Sequence, residues 1–192
     1  MKDKKTAKKG TERYGIPETV EIGFCTYKIN FEVQELMTES LGSHNRRISE
    51  INIQTGLPRS VSWVILFREI LKIINSEMKD VVAEPLANSL FSFIEENHFP
   101  RKDLPKSVKI GSHRYSVKLC NYAELEENSC GTNSRLTLEI KVRNDMKPDM
   151  MWDIFFHESL HGINQGFEES EICYLSTILC KVLDNLGILI KK

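Results

Sequence analysis

The residues with the clearest chemical potential are His157-Glu158-Ser159-Leu160-His161, an HExxH arrangement. On a helix, residues i and i+4 share one face, so the two imidazoles can aim nitrogens at one metal ion. Zinc takes imidazole nitrogen at ~2.0–2.1 Å, and a catalytic site keeps one position open for water. Glu158 stands one step round the same helix. A carboxylate there can take a proton from a water activated by the metal. The apolar Phe155, Phe156, Leu160 and Ile163 give the segment helical spacing and an amphipathic character.

Two histidines need a third protein ligand. A short break from Gly162 to Glu169 leads to a second apolar-periodic segment, which opens with Glu168, Glu169 and Glu171. All three are candidates. Glu171 directly precedes the apolar series Ile172, Leu175, Ile178, Leu179, so it is the preferred one. The competing role for any of them is an ordinary acid stabilising a helix N-terminus.

The elements that must position these residues occur twice. PETVEIGFCTYKINFEV (17–33) aligns with PKSVKIGSHRYSVKL (105–119), pairing Pro17 with Pro105, Val20 with Val108, Gly23 with Gly111 and Tyr27 with Tyr115. After one single-residue insertion, Gly42 pairs with Gly131, Arg46 with Arg135 and Ile51 with Ile140. WVILFREILKIIN (63–75) then lies against WDIFFHESLHGIN (152–164) without a gap. The chain therefore reads as a tandem duplication: a basic tail over 1–16, one unit over 17–99, a short Pro-containing link and a second unit over 104–190.

Each unit has one grammar. Two short alternating runs suggest a hairpin turning near Gly23 or Gly111. A polar stretch follows, then a third alternating run: Ile51 and Ile53, or Leu136, Leu138, Ile140 and Val142. A helix begins near Trp63 or Trp152, and a last helix carries Leu86, Leu90 and Phe93, or Leu175, Ile178 and Val182. The expected fold class is α+β, with a small antiparallel sheet and two helices per unit. The two tryptophans read as packing residues.

Only the second unit carries the motif. Arg68 stands at the position of His157, Lys72 at that of His161 and Val82 at that of Glu171, while Glu69 matches Glu158. Guanidinium and ammonium groups offer no lone pair at neutral pH, so they cannot ligate a metal. One metal site in the second unit and a metal-free copy in the first are expected.

Composition narrows the setting. Lys plus Arg number 26 and Asp plus Glu 27, a net charge of -1, which argues against a dedicated nucleic-acid surface. Five cysteines at 25, 120, 130, 173 and 180 form no CxxC pair. They read as small apolar residues of a protein in a reducing cytoplasm, and Cys173 is not expected at the metal. The apolar run from Ile172 to Ile190 is broken by Lys181, Asp184 and Asn185, so it reads as a buried helix rather than a membrane span. His44, His98 and His113 read as scattered loop or turn residues.

His157-Glu158-x-x-His161, followed closely by Glu171-Ile172-x-x-Leu175-Ser176, resembles the minimal zincin-type metallopeptidases of phages and prophages, which are related to the ImmA/IrrE peptidases. The stretch from Gly131-Thr132-Asn133 to Ile140-Lys141-Val142 resembles their strand before the helix, which lines the substrate cleft. The resemblance covers about the second half of the chain. It implies a zincin-like unit, one zinc ion on His157, His161 and Glu171, and Glu158 as general base. It further implies a peptide or protein substrate, with the strand around Ile140 holding an extended segment by edge pairing. The alternative is a non-catalytic interaction or assembly protein of the same fold, its metal structural or lost.

Overall fold

Glycine at positive φ opens each unit's first turn. Gly23 has φ 61° and Gly111 has φ 59°, the conformation that a two-residue hairpin turn demands at its first position. In this computed structural model the described residues are 15–33, 40–97, 99, 103–125, 129–164 and 166–185. Residues 1–14 of the basic tail, His98 and the end of the last apolar run from residue 186 lie outside them.

The chain divides into two compact units, the first ending at Phe91 and the second beginning at Ser92. The first carries β1 (Thr19–Ile22), β2 (Cys25–Glu32), β3 (Gly42–Asn45), β4 (Glu50–Gln54) and α1 (Arg59–Ile74), with most of α2 (Asp80–Glu96). The second carries β5 (Ser107–Ile110), β6 (His113–Cys120), β7 (Gly131–Ser134), β8 (Glu139–Arg143), α3 (Pro148–Ile163) and α4 (Glu169–Asn185). The fold is α+β, two tandem repeats of a four-stranded sheet followed by two helices. Each of these strands and helices begins and ends at matching positions of the repeat.

The sheets are mixed, which corrects the expectation of antiparallel ones. Strand order is β1-β2-β4-β3 and β5-β6-β8-β7. β1 with β2, and β3 with β4, pair antiparallel, but β2 and β4 run parallel, as do β6 and β8. Burial explains the order. Ile51, Ile53, Ile140 and Val142 are wholly inaccessible, so their strands take inner places. The polar Gly42-Ser43-His44-Asn45 and Gly131-Thr132-Asn133-Ser134 go to the edges.

The third run starts later than its alternation suggests. β8 begins at Glu139, and Leu136 lies exposed in the turn before it. The same tight turn closes both units: Ser49 and Leu138 each adopt φ 52°. Arg46 Nη2 donates to the carbonyls of Lys72 and Ile73, and Arg135 Nη2 to those of His161 and Gly162. Each arginine thereby satisfies carbonyls that a helix end leaves without an intrahelical donor.

α3 starts with Pro148 at its first turn, where the missing N–H is harmless, and Asp149 beside it. Its buried stripe, Phe155, Phe156, Ser159 and Leu160, packs with Val108, Tyr115, Ile140 and Val142 in the second unit's core. Trp152 stacks on Phe156 with ring centroids 5.7 Å apart. Gly131 lets β7 approach α3 closely: a Cβ there would meet Ile154 Cγ2 at 2.6 Å and Glu158 Oε1 at 3.0 Å.

Candidate metal centre

His157 and His161 lie one turn apart on α3, beside the buried stripe. Their Nε2 atoms are 3.1 Å apart. Glu169, the first residue of α4, spans both: Oε1 is 3.0 Å from His157 Nε2 and Oε2 is 3.4 Å from His161 Nε2. Three donors thus form a small triangle. Tetrahedral ligands at zinc distances of ~2.0–2.1 Å stand ~3.3 Å from one another; the two imidazole nitrogens, and each imidazole with one Glu169 oxygen, lie near that value. Donor types and spacing fit a divalent ion.

Asp153 joins α3 to α4 below the cluster. Its carboxylate accepts from Ser176 Oγ at 2.8 Å and Thr177 Oγ1 at 3.2 Å. Ile172, Leu175, Ile178, Leu179 and Val182 are the buried stripe of the same helix.

The acid that lies beside the two histidines is Glu169 and not Glu171. Glu171 stands at the third position of α4, and its Oε2 accepts the Glu168 backbone N–H at 3.1 Å. That is the return half of a capping box, which stabilises the helix start. Residues two apart on a helix point to nearly opposite sides at 3.6 residues per turn. Glu169 and Glu171 therefore cannot both face α3. Glu168 is exposed and supplies its backbone N–H to Glu171.

Cys173 was missed. Its Sγ lies 3.8 Å from His157 Nδ1, and ligand atoms of His157, Glu169 and Cys173 all lie within 4.8 Å of one another. The usable signal was spacing: Cys173 follows Glu169 by four residues and shares its helical face. All five cysteines are free thiols.

The electrostatics differ from group to group. Burial pushes the His157 imidazole below its ordinary range, partly opposed by the Glu169 charge. A neutral imidazole is the ligating form. Glu158 is 8% exposed, and no described residue donates a hydrogen bond to its carboxylate. Burial first, then the charge of Glu169, push its pKa up to about 7. An acid poised near neutrality suits a general base.

Cavities of about 410 and 590 Å³ open on the centre, and His157, Glu158, Glu169 and Gly131 line both. The free sheet edge beside them is β7. The strand around Ile140 is β8, paired with β6 on one side and β7 on the other. It has no edge to offer an extended segment, which corrects that expectation.

In the first unit the matching positions form an ion network. Glu69, 1% exposed, accepts from Arg68 Nε at 2.9 Å and pairs with His44 Nδ1 at 2.8 Å. Lys72 Nζ lies 2.8 Å from Asp80 Oδ1. Asp80 is the counterpart of Glu169. The acid therefore persists in both copies, and only the two histidines are replaced. Val82, the counterpart of Glu171, is exposed.

No family model, no curated protein and no solved structure matches the chain.

Proposed function

We propose that the second unit is a zinc-dependent hydrolase of peptide or similar amide bonds. The observation that carries this is the cluster of His157, His161 and Glu169 beside a buried carboxylate with no hydrogen-bond donor among the described residues. Two imidazoles and one carboxylate suit zinc better than the hard cations, which prefer oxygen alone. A bound ion would supply Lewis acidity and would lower the pKa of a water.

The chain's own residues do the rest. Glu158 accepts a proton from the attacking water and returns it to the departing amine. Its raised pKa matches both halves of that cycle. The free edge of β7 pairs with an extended main chain, and the cavities on either side receive its side chains. The free thiols fit a reducing compartment such as the cytoplasm.

Glu158→Gln tests the reading. The variant is expected to keep its metal and lose at least ~100-fold in turnover. Unchanged hydrolysis would overturn the role of Glu158.

Cys173 favours a second reading. A thiolate completing four protein ligands would close the site and make it structural, as in a non-catalytic interaction or assembly protein. Cys173→Ser separates the two. A structural site loses metal and stability together, whereas an open catalytic site keeps both.

A further inference from the structure

We propose that the cavity of about 410 Å³ beside the centre receives a cationic side chain of the substrate, lysine or arginine, against the Asp153 carboxylate. This names a substrate class for the proposed hydrolase and rests on that reading.

Asp153 precedes His157 by one helical turn, so it shares the face that presents the histidines. It lines the cavity together with Glu158 and Glu169, and no lysine or arginine lines it among the described residues. The described partners of Asp153 are two neutral hydroxyls, Ser176 and Thr177. Hydroxyl donors orient a carboxylate without cancelling its charge. Ser176 is 2% exposed, so the orientation is rigid. Glu158, more than nine-tenths buried and without a described donor, faces the same space. A bound ion would offset Glu169, which leaves Asp153 as the fixed carboxylate that attracts a cation into this cavity. Its volume lies within the ~300–1,000 Å³ of small-ligand pockets.

The duplication supplies an internal control. Residues that build the frame recur in both copies: Ser40 and Ser129, Gly42 and Gly131, Arg46 and Arg135, Glu69 and Glu158. The positions of Asp153, Ser176 and Thr177 are instead Val64, Ala87 and Asn88 in the first unit. The repeat therefore folds without an acid at this position. Acid and hydroxyls occur only in the copy that has the histidines.

The test is equilibrium binding to the zinc-loaded full chain of acetylated pentapeptide amides, Ala-Ala-Xaa-Ala-Ala, with Xaa lysine, arginine, norleucine or glutamate. Lysine and arginine are expected to bind on the order of tenfold tighter than norleucine, and glutamate weaker still. Asp153→Asn, which keeps an acceptor for both hydroxyls, is expected to bring lysine and arginine to the norleucine level. Equal binding of the four peptides, no binding, or a preference unchanged in Asp153→Asn would each overturn the proposal. The wild-type comparison of lysine with norleucine decides the matter even if the variant folds poorly. Hydrolysis is read separately. A basic preference without turnover keeps this proposal and removes the hydrolase reading. Turnover without a basic preference does the reverse.

Discussion

Lys72 Nζ lies 2.8 Å from Asp80 Oδ1, and these two residues hold the places that His161 and Glu169 hold in the second unit. Arg68 likewise stands at the position of His157 and donates to Glu69, the counterpart of Glu158. The first unit carries its positive charge in covalently attached side chains. The second unit collects the same acids around two imidazoles, with no lysine or arginine ion-paired to either acid among the described residues. In the proposed reading an external cation would supply that complement.

The two candidate acids on α4 are separable. Glu169→Gln is expected to reduce zinc affinity at least ~10-fold. Glu171→Gln is expected to leave zinc unchanged and to cost about 1 kcal/mol or less through the weakened helix cap. Elemental analysis and thermal unfolding of both variants check this. Zinc loss in Glu171→Gln alone would reverse the assignment.

The first unit's network makes stability depend on acid pH. Burial raises the Glu69 carboxyl, but hydrogen bonds from His44 and Arg68 and the charges of Arg68 and Lys72 outweigh it, and the net shift is downward. A depressed acid contributes stability that is present above its unfolded value and lost as pH falls through its folded one. Glu69→Ala is expected to destabilise the chain at pH 7 by on the order of 3 kcal/mol, because it strands the largely buried Arg68. The gap to wild type should narrow as unfolding is followed from pH 5 downward. A gap that widens in acid would reject this account.

Glu158 should behave in the opposite sense in metal-free protein. Its carboxyl is raised from 4.5 to about 7, so the folded state binds the extra proton between those values. Stability is greatest below that window and falls as pH rises through it, by up to about 3 kcal/mol. Chelated wild type should lose stability between pH 5 and pH 8, while chelated Glu158→Gln should lose less. Parallel pH curves for the two would contradict the burial argument.

Restoring the histidines should create a second site. Arg68→His with Lys72→His leaves Asp80 in place as an acidic donor. Metal content is expected to rise from about one to about two ions per chain, with weaker affinity at the new site because aspartate is one methylene shorter. In a His157→Ala, His161→Ala background the same pair should return content from none to about one. No uptake in either background would mean that the first unit's frame no longer supports the geometry.

Much of this protein is legible without coordinates. The fold class follows from alternation, then helical spacing, repeated twice. The histidine pair needs only the pitch of one helix, and the absence of both imidazoles from the first copy follows from alignment of the two halves. Strand order did not follow. Alternation reports that Ile51 and Ile53 face a core, but not that β4 lies between β2 and β3 rather than at an edge. The edge role of β7 was hidden for the same reason, since Gly131-Thr132-Asn133-Ser134 has no apolar alternation to mark it as a strand.

The sequence by itself determined the repeat, the shared face of His157 and His161, and the copy in which they occur. Those properties depend on local periodicity, which the backbone imposes whatever surrounds it. Tertiary structure decided that Glu169 faces the histidines, that Glu171 caps its own helix, and that Cys173 and Asp153 border the site. Those outcomes depend on the rotation of α4 against α3, which follows from the packing of its buried apolar stripe. Rotation between helices is a property of packing, and no single segment encodes it.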